Sequence, residues 1–102
     1  MKRLTVRRRA MRDLAEAREY YLREAPHMVS EFAVTLDAEF FHLGQNPDTG
    51  SPRYGLQLGI LGLRSWPVKK FPHIIFYMVD QARIVILRVL HQASDIPGHL
   101  KP

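Results

Sequence analysis

The sequence contains no cysteine, and none of its apolar runs approaches the roughly 18 residues that a membrane-spanning helix needs. The lack of cysteine excludes a disulfide scaffold and any thiolate metal site, and it is typical of proteins in a reducing compartment. The basic first residues are not followed by the apolar segment of a secretory signal. We therefore expect a cytoplasmic protein that does not enter a membrane.

Motifs of catalysis and ligand binding are also scarce. No glycine-rich phosphate loop precedes a helical pattern, and no pair of carboxylates stands in the apolar second half of the chain. The five histidines show no i, i+4 pairing within a helical pattern. We expect neither a metal site nor a cofactor.

The chain is a basic globular protein of ordinary composition. Its 102 residues are 46% hydrophobic and 25% charged, which predicts one domain over residues 1–102. The net charge is +5, with six basic residues and no acid in 1–12, seven acids in 13–39, and six basic residues with one acid in 53–91. Such a distribution favours an acidic or polyanionic partner, although a basic protein that is merely soluble is the plainer interpretation.

Hydrophobic periodicity predicts a strand and two helices in the first half. Leu4 and Val6 alternate with polar residues, as in a short edge strand. A helix is predicted from about Arg9 to Ala25, before Pro26, and a second helix begins with Ser30 as its N-cap. Both helices have one apolar face, formed by Ala10, Leu14, Ala17 and Tyr21 in the first and by Phe32, Leu36, Phe40 and Leu43 in the second.

The second half has the composition of strands. The segments 56–66, 73–79 and 83–91 are rich in apolar residues, and only three residues separate the last two, which predicts an antiparallel hairpin. Strands that are apolar on both faces must be covered on both faces, by the helical hairpin on one side and by the C-terminal segment or a partner on the other. The predicted fold is α+β, in the order β-α-α-β-β-β, with an antiparallel sheet packed against an N-terminal helical hairpin.

Arg88 is the most informative single residue. It lies in the middle of an apolar strand, on the predicted face of Ile84, Ile86 and Leu90. Because an unpaired guanidinium is too costly to bury, Arg88 must either pair with a carboxylate or reach solvent at an open sheet face. The first alternative is an internal salt bridge to Asp95 or to an acid of the helices.

The second alternative places Arg88 on a concave basic surface of the sheet. Arg64, Lys69 and Lys70 would share that surface, with Trp66 as an apolar platform. Each residue also has a plainer interpretation, since lysines at a turn are usually solvated and a tryptophan at a strand end is usually part of the core or its rim. The second alternative predicts a cationic sheet surface that another macromolecule covers.

Several short segments follow one another in an order that extends over nearly the whole chain. They are Leu4-Thr5, Asp13-Leu14, Tyr20-Tyr21, residues 46–50, residues 63–68, Ile75-Phe76-Tyr77, and residues 86–91 followed by Asp95. In order and spacing they resemble the RelE/ParE superfamily of bacterial type II toxins, and most closely its ParE, or plasmid-stabilisation, branch. The resemblance implies the same β-α-α-β-β-β fold.

The resemblance also implies partners. Toxins of this superfamily are neutralised by a cognate antitoxin, usually a ribbon-helix-helix dimer whose disordered tail folds on the toxin, so that operator DNA is contacted mainly through the antitoxin. ParE-like toxins poison DNA gyrase, which implies an inhibitor rather than an enzyme. Candidate contacts to gyrase or antitoxin are Arg64, Trp66, Lys69, Lys70 and Arg88.

Two further functions remain as alternatives. RelE-like toxins cut messenger RNA on the ribosome with several cations and a tyrosine around one phosphate. By resemblance, their arginines fall at His73 and near Ala93 or Ser94, and their C-terminal tyrosine has no counterpart after Asp95. An endonuclease would therefore depend on His73, Arg88 and His91, although Arg88 and His91 share a face only if a bulge turns the strand. The other alternative is a degenerate toxin that only binds its antitoxin.

Overall fold

The computed structural model describes residues 2–101, which form a four-stranded sheet with helices on both faces. A short 3₁₀ turn, Pro26–Met28, joins the first two helices. No helix within residues 2–101 is long and apolar enough to cross a membrane. The elements are β1 (Arg3–Val6), α1 (Arg8–Glu24), α2 (Val29–Gln45), α3 (Arg53–Leu58), β2 (Arg64–Pro67), β3 (His73–Val79), β4 (Arg83–His91) and α4 (Ile96–Leu100).

The strands are arranged in the order β1-β4-β3-β2. β3 pairs antiparallel with both β2 and β4, as the hairpin prediction requires. β1 runs parallel to β4, with Leu4 opposite Ile84, so that the sheet is mixed and the prediction of a wholly antiparallel sheet is wrong for β1. The α+β class and the β-α-α-β-β-β order of the strands and main helices are confirmed. The parallel pair arises because the helices return the chain to the end of the sheet where β1 began.

The helical hairpin packs on one face of the sheet with the residues that its periodicity predicts. The buried cluster on this face includes Ala10, Tyr21, Phe32, Leu36 and Leu43 of the helices and Ile75, Tyr77, Ile84 and Ile86 of the strands. The predicted N-cap at Ser30 is wrong, since α2 begins at Val29. The 3₁₀ turn before it already has helical geometry and continues directly into the helix.

The opposite face of the sheet is covered by the chain itself. Leu63, Phe76, Leu90 and Ile96 form a second buried cluster there, with side chains of α3 and α4 packed beside them. The C-terminal segment is therefore one cover, as one of the two alternatives stated. The prediction of a cationic sheet surface left open for a partner is wrong.

The other cover, α3, stands where the sequence predicted strand-like structure. Within the segment 56–66 only residues 64–66 are in a strand, β2, which continues to Pro67. Gly59 and Gly62 have φ values of 70° and 84°, a left-handed conformation that ends α3 and turns the chain before β2. The apolar composition of the segment was correctly recognised, but its glycines decide the conformation.

A bulge in β4 decides where Arg88 lies. The pairing of β4 with β3 shifts at Leu87, which is an extra residue relative to its partner strand. Because side chains alternate between the two faces, one extra residue reverses the alternation beyond it. Val89, rather than Arg88, therefore joins Ile86 on the face of the helical hairpin, and Leu90 belongs to the opposite cluster. The predicted common face of Arg88 with Ile84 and Ile86 is wrong, whereas Arg88 and Leu90, which both follow the bulge, leave the strand on the same face as predicted.

An ion pair closes the edge of β4 beyond the end of β1. Nε and Nη2 of Arg88 donate to the carboxylate of Asp13 in α1 at 2.8 and 2.9 Å. That carboxylate also accepts the backbone N–H of Val89 at 3.0 Å, which has no strand neighbour because β1 ends at Val6. Nη1 of Arg88 donates to the carbonyl of His99 in α4 at 3.2 Å. The pair thus links the helices on the two faces of the sheet.

The ion pair is largely withdrawn from water. The side chains of Arg88 and Asp13 are only 14% and 10% exposed. Of the two alternatives for Arg88, the internal salt bridge is confirmed, with an acid of α1 as the partner. Asp95, the other acid considered, instead caps α4 by accepting the N–H of Gly98 at 3.2 Å.

We expect Arg88→Met to lower the free energy of unfolding by about 3–5 kcal/mol, because it leaves the Asp13 carboxylate buried without a partner charge. Asp13→Asn/Arg88→Met should recover most of that loss, since the asparagine oxygen still accepts the N–H of Val89. Urea unfolding followed by circular dichroism measures both variants. The control, Arg83→Met, breaks an exposed pair with Asp80 and should cost less than about 1 kcal/mol. Equal losses for the two single variants would contradict the account.

Candidate functional site

Lys69 and Lys70 lie in the turn between β2 and β3, where both side chains are exposed. Lys70 has a φ of 69°, and its Nζ lies 3.9 Å from the carboxylate of Glu31. The backbone N–H of Lys69 donates to the carboxylate of Glu39 at 3.1 Å. The ammonium group of Lys69 forms no ion pair within residues 2–101 and is available to a partner.

Arg64 stands at the other end of β2. Its Nη1 donates to the carbonyl oxygens of Gly50 and Asp48 at 2.7 and 3.2 Å. These bonds hold the guanidinium in place against the loop that follows α2. Because carbonyl groups carry no net charge, Arg64 remains a cation in a fixed position.

Trp66 is a residue of the core margin rather than an exposed platform. Its ring stacks on His42 with the ring centroids 4.9 Å apart, and it packs against the cluster beneath the helical hairpin. Its Nε1 is buried and has no hydrogen-bond partner among the described residues. Trp66 therefore lies at the rim of the core, as the plainer of its two interpretations predicted. An exposed apolar contact for a partner must come from another residue.

The predicted concave basic surface is not formed. Arg88 lies in β4 and is separated from β2 by β3, so that the two backbones are about 10 Å apart. Its guanidinium is directed toward α1 and α4, where Asp13 neutralises it. Arg64 begins β2, whereas Lys69 and Lys70 follow its end. The remaining cations of the predicted surface therefore form two separate groups.

An apolar groove beside Arg64 escaped the sequence analysis. It has a volume of about 310 Å³ and is lined by Pro52, Gly55, Leu56, Gly59, Ile60, Leu61, Gly62, Leu63 and Arg64. Leu56 and Leu61 are 79% and 95% exposed, which is unusual for leucine. We call this the leucine groove. The sequence signal for this groove is the close spacing of Gly59 and Gly62. Glycines that end a helix and turn the chain expose the residues between them.

A second exposed apolar surface lies on the outer side of α2. Val34 and Phe41 are exposed there, seven residues apart and therefore on the same side of the helix. Unlike the leucine groove, this surface is convex and no arginine or lysine of α2 accompanies it. It provides a comparison surface of similar apolar character.

A cavity of about 500 Å³ lies between α1 and the adjoining ends of β3 and β4, and we call it the histidine cavity. The three residues of the predicted endonuclease, His73, Arg88 and His91, all line it. The bulge at Leu87 does not bring Arg88 and His91 to one face, because both residues follow it in regular register with β3. Arg88 reaches the cavity because its guanidinium extends past the open edge of β4 to Asp13. Its other polar and aromatic lining residues include Asp13, Glu16, Tyr20, Tyr21, Ser94 and His99.

The charges of the histidine cavity do not suit a phosphate. His73 is only 8% exposed, and burial, reinforced by nearby His91, lowers the pKa of His73 to about 4, so that it is neutral at pH 7. The hydrogen bond to Asp13 raises the pKa of Arg88, whose charge Asp13 offsets. With Glu16, the cavity has two carboxylates against one guanidinium. Within residues 2–101, no three histidine, aspartate or glutamate side chains form a metal-binding group.

Comparisons with known proteins agree over almost the entire chain. Residues 4–96 match the family described as ParE toxin of type II toxin-antitoxin system, parDE. Toxin ParE1 of Caulobacter vibrioides is 31% identical over 101 residues, which span 98% of this chain and 99% of that protein. A solved chain of the chromosomal ParDE TA system from P. aeruginosa has a similar fold, with a TM-score of 0.73 and 22% identity over 89% of this chain and 96% of that one.

The buried neutral His73 predicts a pH-dependent stability. The unfolded chain, in which His73 has its ordinary pKa of about 6.5, binds more protons than the folded one, so stability is lost as the pH falls from 6.5 to 4. Between pH 7 and pH 4, the native protein should lose about 3 kcal/mol more than His73→Leu. Urea unfolding at each pH measures the difference. His27→Gln, an exposed control, should retain the native profile, and a native-like profile for His73→Leu would contradict the assignment.

Proposed function

Because the chain belongs to the ParE toxin family of type II toxin–antitoxin systems, we propose that it inhibits DNA gyrase in the cytoplasm and is neutralised by a cognate antitoxin. Its resemblance to ParE-like toxins supports gyrase as the target. The observation that favours gyrase over messenger RNA is the charge of the histidine cavity, where an endonuclease would have to bind its phosphate.

RNA cleavage requires several cations around one phosphate, because negative charge accumulates on the phosphoryl oxygens in the transition state. In the histidine cavity the single arginine is held by Asp13, and His73 is neutral at pH 7. The carboxylates of Asp13 and Glu16 would repel an incoming phosphate. These features support a toxin that acts by binding its target rather than by cutting RNA.

The Lys69–Lys70 turn is suited to contact an acidic surface of gyrase. The residues on either side of it, Val68 and Phe71, are buried, so the turn is anchored at both ends. The backbone N–H of Phe71 also donates to the carbonyl of Val68 at 3.2 Å, closing the turn. A turn that is already ordered loses little conformational entropy when it binds. Arg64, at the far end of β2, adds a third cation at this edge of the sheet.

The leucine groove is suited to the antitoxin. Family antitoxins carry an acidic or amphipathic tail, whose apolar side chains would cover Leu56 and Leu61 while its acids meet Arg64. Covering one exposed leucine contributes about 1.5–3 kcal/mol. β2 is four residues long, about 13 Å, so an extended tail seated in the groove needs only a few more residues to reach the Lys69–Lys70 turn. One antitoxin tail could therefore block the contact to gyrase.

In a supercoiling assay, we expect Lys69→Gln/Lys70→Asn to need at least about tenfold more protein than the native chain for half-inhibition of gyrase, because two charge contacts are lost. Asparagine is chosen at position 70 because it tolerates the left-handed backbone there. The control, Arg18→Gln/Arg23→Gln on α1, removes the same charge and should inhibit as the native protein does. Native protein that leaves supercoiling unchanged over a wide concentration range would refute the proposed target.

An assay for RNA cleavage distinguishes a gyrase inhibitor from an endonuclease. Primer extension on messenger RNA after induction, with and without ribosomes, should show no induced cuts. Induced cleavage that disappears in His91→Ala would establish the endonuclease instead. Unimpaired growth after induction without antitoxin would indicate a degenerate toxin that retains only its binding function.

We expect Leu56→Glu/Leu61→Glu to weaken binding to the antitoxin, the product of the adjoining reading frame, by at least about 100-fold, since it removes apolar anchors and adds charges that repel an acidic tail. Isothermal titration calorimetry with the purified pair measures the change. Val34→Glu/Phe41→Glu introduces the same charges on the outer surface of α2 and should bind within a few-fold of the native chain. Weaker binding of Val34→Glu/Phe41→Glu than of Leu56→Glu/Leu61→Glu would show that the antitoxin binds the outer surface of α2 instead.

A further inference from the structure

A second groove, which we call the arginine groove, lies between the start of α1 and the end of α4. It has a volume of about 330 Å³ and is lined by Arg7, Arg8, Arg9, Leu87, Arg88, His99, Leu100 and Lys101. Four of its cations, Arg7, Arg8, Arg9 and Lys101, are exposed and form no ion pair with any other residue in 2–101. Among residues 2–101, no acidic side chain lines the groove.

This concentration of charge is unfavourable for the isolated protein. The first turn of α1 contains Arg8 and Arg9 and no acid, although the positive end of the helix dipole favours acids there. The three consecutive arginines also repel one another. Arg88 adds no free charge, because it is paired with Asp13. A bound polyanion would remove these unfavourable interactions.

The lining of the groove indicates which polyanion fits. None of the large apolar side chains that the described residues leave exposed lines it, and the leucines of its floor, Leu87 and Leu100, are packed into the cluster beneath α4. An amphipathic acidic peptide would therefore find no apolar anchor. Within residues 2–101 the groove has no tyrosine, tryptophan or phenylalanine, and the imidazole of His99 is the one aromatic ring on which an unpaired base could stack. Arginine forks match phosphate oxygens, so the lining favours the backbone of a duplex.

We propose that the arginine groove binds the phosphodiester backbone of double-stranded DNA without reading its sequence. The choice of DNA over RNA rests on the proposed function, since gyrase holds a DNA duplex. The groove lies beside the end of β1, at one edge of the sheet, whereas the Lys69–Lys70 turn follows β2 at the opposite edge. The two edge strands are roughly 14 Å apart, which is three strand spacings. The toxin contacts gyrase with one edge and the DNA with the other. Operator DNA remains with the antitoxin, because the groove presents no base-reading element.

The test measures DNA binding by the purified full chain alone, with no gyrase or antitoxin present. Fluorescence anisotropy of a labelled 20-base-pair duplex of arbitrary sequence is recorded between 50 and 200 mM NaCl. In Arg8→Gln/Arg9→Gln, the negative slope of log affinity against log salt concentration should become shallower by about two. Affinity at 100 mM NaCl should weaken by about tenfold or more. Arg18→Gln/Arg23→Gln, on the same helix and with the same charge change, should stay within twofold of the native protein.

Several outcomes would overturn the proposal. They are no measurable binding at 50 mM salt, equal losses in the two variants, tighter binding to an RNA duplex of the same sequence, and displacement of DNA by polyglutamate at equal charge concentration. Equal losses would mean that only net charge attracts DNA, and efficient polyglutamate would mean a site for acidic protein. Because gyrase is absent, this result is independent of whether the chain inhibits supercoiling.

Discussion

Beyond the end of β1, the carboxylate of Asp13 accepts a backbone hydrogen bond from β4, neutralises an arginine and links two helices. β1 is too short to accompany β4 to its end, so the backbone N–H of Val89 requires an acceptor, and Asp13 provides one. The same group neutralises Arg88, which also holds the carbonyl of His99 in α4. Helices on opposite faces of the sheet are thereby joined around its edge. Since a half-satisfied buried pair is worse than none, neither Asp13 nor Arg88 is dispensable once the other is present.

This ion pair also determines what the adjoining cavity can do. A free arginine beside two histidines would resemble a phosphate site, yet Arg88 is held by Asp13 and His73 is kept neutral by burial. The exposed binding potential therefore lies elsewhere: in the leucine groove, in the Lys69–Lys70 turn and in the arginine groove. The two grooves exist because short helices, α3 and α4, rather than a second sheet, cover the far side of the strands.

The sequence predicted those elements whose signal is regular and local. The apolar stripes of α1 and α2 are buried as their spacing requires, and the runs 73–79 and 83–91 are strands with the predicted bounds. α3 was missed because its apolar residues resemble a strand until two left-handed glycines are taken into account. The leucine groove was missed for the same reason, since it is formed by that helix and its turn. Trp66 was overrated as a contact because stacking on His42 depends on the tertiary structure.

By itself, the sequence determined the α+β class, the helical hairpin, the terminal strand pair, and the family, because periodicity and the order of segments are properties of the chain alone. It also required Arg88 to be paired or exposed, since burial of a bare charge is costly in any fold. Only the tertiary structure decided between those two outcomes. One extra residue at Leu87 reverses the alternation of β4, and only the packing of α1 against that strand brings Asp13 to it, 75 residues away along the chain.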